Sequence, residues 1–150
     1  MRRHADIWFV LVNGAKARVL RYRSSHPGEF ESVHEEESRE AAMAAHDLVT
    51  DRPGRSHESA SPLRHAIEGS DPHEAAMARF ETGVADMVNR AASQDRFDGL
   101  VLVAPPRVLG RMRQALDDRA RERLILEEGK DLLGLPDAEL KPRLSALVTR

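Results

Sequence analysis

Short unbroken apolar runs alternate along this chain with longer stretches in which apolar residues recur every three or four positions. Ile7-Trp8-Phe9-Val10-Leu11-Val12 is the first run and Leu100-Val101-Leu102-Val103-Ala104 the second, and neither contains a polar residue. Runs of this length without alternation predict strands covered on both faces. Val19-Leu20-Arg21-Tyr22-Arg23 predicts a partner for the first run, reached through Asn13-Gly14, a dipeptide suited to a tight hairpin. His26-Pro27-Gly28 predicts a second turn, and residues 30–35 a third strand. Its alternation is weak and Glu35, Glu36 and Glu37 stand at its end, the pattern of an edge strand protected from stray pairing by charge.

Helical spacing is clearest after Asp71. That residue suits an N-cap, with Pro72 at the first helical position and Glu74 placed as a capping-box partner. Met77, Phe80, Val84, Met87, Val88 and Ala91 then form one stripe of a helix running to about Ala92. Pro105 and Pro106 stop the second apolar run, since neither can donate to a strand ladder. Val108, Leu109, Met112, Ala115 and Leu116 predict a helix after them, with Arg107, Arg111 and Arg113 in its first turns. A strand follows around residues 123–128, Gly129-Lys130-Asp131 turns out of it, and Pro136-Asp137 opens a last helix ending near Leu147.

The order β-β-β-α-β-α-β-α predicts one α/β domain over residues 1–150. Three antiparallel strands joined by turns, then two reached through helical crossovers, give a mixed five-stranded sheet with helices on both faces. This is a ribonuclease H-like arrangement of elements. Residues 38–70 interrupt it. A short alanine-rich helix fits residues 39–46, but the remainder is turn chemistry and polar residues, a loop insertion whose length points to a site or to disorder.

Composition narrows the chemistry. The chain has 150 residues and a net charge of −2, which speaks against a generally basic nucleic-acid binder and leaves room only for local contacts. With no cysteine, disulfides, thiolate metal sites and cysteine nucleophiles are excluded. The first apolar run is too short for a secretory signal and no run approaches a membrane span, so a soluble cytoplasmic protein without a membrane partner is expected.

No catalytic constellation emerges. A metal-dependent nuclease on this element order needs carboxylates at the site, yet the first strand contains none, and Asp6 and Asp98 stand only at strand starts. His57, His65 and His73 recur every eight residues with Pro62 and Pro72 between them, which fixes no coordination geometry. The nucleophile elbow and the glycine-rich phosphate loops are missing. Catalytic residues, metal and cofactor are therefore all expected to be absent. Arginine is the more informative residue. Arg52 and Arg55 flank the turn Arg52-Pro53-Gly54-Arg55, Arg64 follows Pro62, and Arg107 follows a double proline. Stiff prolines lower the entropy lost in presenting a guanidinium fork to phosphate or carboxylate. Asp51, Arg52, Arg55, Arg64 and Arg107 form the candidate anion site; the competing reading is that these arginines pair with Asp51, Glu58, Glu68 or Asp71 and order the long segment.

Four separated stretches resemble a known family. They are Trp8-Phe9-Val10-Leu11-Val12-Asn13-Gly14-Ala15-Lys16-Ala17-Arg18, Asp51-Arg52-Pro53-Gly54-Arg55, the strand-to-helix passage with Ala104-Pro105-Pro106-Arg107, and Lys130-Asp131-Leu132. In this order they resemble the bacterial host-attachment proteins, described as required for attachment to host cells. That family is regarded as related to archaeal and eukaryotic class-1 peptide release factors, which implies a ribonuclease H-like domain and a ribosome or RNA as possible partner. Release factors use a Gly-Gly-Gln tripeptide for peptidyl-tRNA hydrolysis. Here no two glycines are adjacent, and Gln94 and Gln114 follow Ser93 and Arg113, so that chemistry does not carry over. A contact role through arginines is what the resemblance leaves.

Overall fold

A computed structural model describes residues 5–43 and 71–149. Strands β1 (Asp6–Val12), β2 (Lys16–Arg23) and β3 (Phe30–Glu37) come first. Helix α1 (Pro72–Ser93), strand β4 (Gly99–Val103), helices α2 (Pro106–Ala115) and α3 (Asp118–Glu122), strand β5 (Leu124–Glu128) and helix α4 (Asp137–Val148) follow. The five strands form one sheet in the order β3-β2-β1-β4-β5. The β1–β2 and β2–β3 pairs are antiparallel, whereas β1–β4 and β4–β5 are parallel. The expected mixed five-stranded α/β fold is the observed one, with helices on both faces.

Burial explains why the two strongest runs lack polar alternation. Trp8, Val10 and Val12 face one core with Leu100 and Leu102, closed by Phe80, Val84 and Val88 of α1 and Met112 of α2. Ile7, Phe9 and Leu11 face the other with Val101 and Val103, closed by Leu140 and Leu144 of α4. A strand between two helical layers has no wet side, and β1 and β4 are the two inner strands of the parallel half. The aromatic residues divide accordingly: Trp8 packs on Phe97 at 4.9 Å, while Phe9, Tyr22 and Phe30 cluster on the opposite face.

Several boundaries differ from those the sequence suggests. In the first hairpin the two central residues are Gly14 and Ala15, because Asn13 N–H already bonds Lys16 O at 3.1 Å. Of the two, only Gly14 takes a positive φ, +93°. Asn13 serves instead through its side chain, whose Oδ1 accepts from the N–H groups of Ala15 and Lys16. Strand β3 is an edge strand, as its charges suggest, and a bulge shifts its register opposite Val19 and Leu20. Residues 39–43 are helical. Helix α3 was not anticipated; Asp117 caps it by accepting from Ala120 N–H at 3.0 Å, a start signal hidden by the shortness of the element.

Candidate functional site

The sheet's polarity decides where chemistry can gather. The carboxyl ends of β1, β4 and β5 lie at one rim, and in open α/β sheets that rim is where ligands bind. Helix α2 begins there, directly after β4. Helix α1 leads down to β4 and so begins there also, as its contacts with the hairpin tip confirm. A Cβ on Gly14 would come within 2.5 Å of Met77 Cε and 3.6 Å of Glu81 Oε2. Glycine is therefore needed for its φ, while Met77 Cε, the end of a flexible side chain, would have to shift for an added Cβ.

Glu81 is the buried acid of the rim, 3% exposed. Arg111 of α2 meets it in a two-pronged pair, Nε to Oε1 at 2.7 Å and Nη2 to Oε2 at 3.0 Å. That hydrogen bonding lifts the Arg111 pKa above its ordinary value. A carboxylate inside the apolar stripe of α1, one position from Phe80 and three from Val84, was the available signal for this residue, and the stripe reading passed over it. Arg113, two residues further along α2 and so on another side of the helix, is held by Glu127 of β5, and the same contact lowers the Glu127 pKa.

Arg107 differs from both. It stands in the first turn of α2 with its side chain 76% exposed, and its one described ionic neighbour is Glu74 of α1, at 3.6 Å. Helix α2 starts at Pro105 with no side-chain cap and no acidic residue in its first turn. Among the described residues, the N–H groups of Arg107 and Val108 have no hydrogen-bond acceptor. Helix α1, by contrast, is capped by Asp71, which accepts from His73 N–H at 3.0 Å. The return bond expected from Glu74 to Asp71 is not formed among the described hydrogen bonds, and Glu74 faces Arg107 instead.

The late turn closes the rim. Asp131 Oδ2 accepts from Asn13 Nδ2 at 3.2 Å, and Oδ1 from Leu133 N–H at 3.0 Å. Gly129 sits 3.9 Å, measured from an added Cβ, from both Pro106 Cγ and Leu109 Cδ2. Thus three of the four stretches singled out in the sequence meet at one edge of the sheet: the Asn13-Gly14 hairpin, Pro105-Pro106-Arg107 and Lys130-Asp131. The fourth, with Asp51, Arg52 and Arg55, lies outside the described residues, as does Arg64. Asp6 and Asp98 sit at the opposite end, where Asp98 Oδ2 accepts from Asp6 N–H and Asp6 pairs with Arg21. Among the described residues no group of three or more His, Asp and Glu side chains is placed to hold a metal ion. No helix among them is long and apolar enough to cross a membrane.

A family model described as "Protein required for attachment to host cells" matches residues 8–144. The chain belongs to that family. The match runs from Trp8, the third residue of β1, into α4, so it reaches all five strands and the described rim. The fold is also similar to the crystal structure of archaeal translation termination factor aRF1, with a TM-score of 0.50 and 12% sequence identity. The likeness covers 95% of this host-attachment chain and 39% of the termination factor, and it is a likeness of fold. No curated protein matches the sequence significantly.

Proposed function

We propose that this host-attachment protein is a cytoplasmic binding protein that takes an anionic, phosphate-bearing group at the carboxyl rim and performs no chemistry on it. Arg107 is the proposed contact among the described residues, and Asp51, Arg52, Arg55 and Arg64, which lie outside them, complete the proposed set. The observation that carries this reading is the contrast within α2: Arg111 and Arg113 are each committed to a two-pronged carboxylate pair, while Arg107 stands exposed on an uncapped helix start. Two unmatched N–H groups beside a guanidinium favour an anion. The chain on either side of the arginine-bearing segment supports the rest of the set. Ser38 N–H bonds Ala15 O in the hairpin tip at 2.7 Å, Glu40 pairs with Arg79 of α1, and Asp71 caps α1 beside Glu74.

The test compares Arg107→Ala with Arg113→Ala, titrating each against a fluorescein-labelled single-stranded RNA and competing with inorganic pyrophosphate. Loss of one charge-assisted contact should weaken Arg107→Ala by about tenfold. Arg113→Ala should bind as the parent does. Equal affinities for Arg107→Ala and the parent would overturn the site.

A second reading has its own support in the likeness to a translation termination factor: a ribosome-associated protein that lacks the Gly-Gly-Gln hydrolytic tripeptide. Sedimenting lysate through a low-salt gradient separates the two. Co-migration with ribosomes that Arg107→Ala abolishes favours the ribosomal role, and a protein that stays wholly at the top removes it.

A further inference from the structure

Strand β3 forms one edge of the sheet, pairing with β2 on one side and with no strand among the described residues on the other. Four of its eight residues are glutamate and none is lysine or arginine. The register with β2 sets Glu35 opposite Arg18 and Glu37 opposite Lys16, on the face that α4 covers, so these two acids point to one side. There they line an open cleft of about 530 Å³ with Lys16, Arg18, Leu133 and Asp137. Arg18 is already matched by two carboxylates, Glu35 at 3.3 Å and Asp137 at 2.9 Å. Among the described residues the cleft is therefore a recess of net negative charge running beside a strand edge with no pairing strand.

We infer that β3 is a docking edge for an extended, lysine- or arginine-rich segment of a partner protein, which adds to the sheet as a sixth strand. Backbone pairing supplies the binding and alternate side chains supply the selection, because every second residue of an added strand faces the cleft. A basic residue at those positions meets Glu35, Glu37 and Asp137. A second copy of this chain is the wrong occupant: β3 against β3 would set glutamates opposite glutamates, which opposes pairing. Nucleic acid is repelled by the same charges. The acids that protect this edge from indiscriminate strands thereby select a cationic one.

The probe is an eight-residue fluorescein-labelled peptide alternating lysine with valine, and the readout is fluorescence anisotropy at low and high salt. Its control carries the same charges but is N-methylated at alternate amides, so it keeps the electrostatics and loses the ladder. The unmodified peptide is expected to bind, the methylated one to bind at least tenfold more weakly, and added salt to weaken the first. Glu35→Gln with Glu37→Gln should reduce affinity about threefold per carboxylate. Because Glu35 is tied to Arg18, Glu37→Gln alone provides the variant whose folding is not at issue, with a thermal melt as control. Equal binding of the two peptides, no effect of either variant, or concentration-dependent dimerisation through β3 would each overturn the inference.

Discussion

Glu81 and Gly14 carry much of the rim between them, and each can be tested by one substitution. Removing Arg111 leaves a buried carboxylate without its partner, so Arg111→Ala should lower unfolding free energy by about 3–5 kcal/mol in denaturant titration. Replacing both members, Glu81→Leu with Arg111→Met, should recover most of that loss, because the pair is offset largely by its own desolvation. Gly14→Ala should cost about 1–2 kcal/mol, chiefly through the φ of +93°, since Met77 Cε is the end of a flexible side chain and can move aside. The glycine was visible in the sequence as a turn residue, but its approach to α1 was not, because 63 residues of chain separate Gly14 from Met77. Glu81 was legible only as an anomaly, an acid within an apolar stripe. Such a residue marks a buried partner without naming it.

Ionic ties between elements set the acid response. Arg113 and Glu127 join α2 to β5, and Arg18 and Asp137 join β2 to α4. Hydrogen bonding to arginine holds both carboxyls below their ordinary values of 4.5 and 3.8. The native state is favoured by their ionisation at pH values above those figures, and that advantage fades as pH falls through the lowered native values. Melting temperature should therefore be flat from neutrality to about pH 5 and fall below it, and Glu127→Gln should make the acid limb shallower. At the start of α3, Asp117→Ala should cost about 1 kcal/mol by removing the cap on Ala120 N–H. Strands β1 and β4 were plain as unbroken apolar runs, because both their faces are buried, and helices α1 and α2 from periodicity, because each buries one face. Helix α3 has five residues and buries only Ala120, so no period could reveal it. The turn after β1 was misplaced by one residue because Asn13 bonds through its side chain rather than occupying the bend.

Across the whole molecule, the rim joins stretches that are remote along the chain, and this is why order of elements conveyed the fold while leaving the site half-read. Arg107 could be placed at the rim from the strand, proline, helix sequence alone. That Arg111 and Arg113 would be taken up in pairs depended on where Glu81 and Glu127 land in space. The pairing of β1 has a consequence during synthesis on the ribosome. One edge of β1 meets β2 only a few residues later, but the other waits for β4, 92 residues further on. Until then the strand presents two greasy faces and an unsatisfied flank together. A fragment ending at residue 98 should accordingly form sedimentable aggregates where the full chain does not, and the emergence of β4 from the ribosome should be the moment at which the nascent product becomes safe from its neighbours.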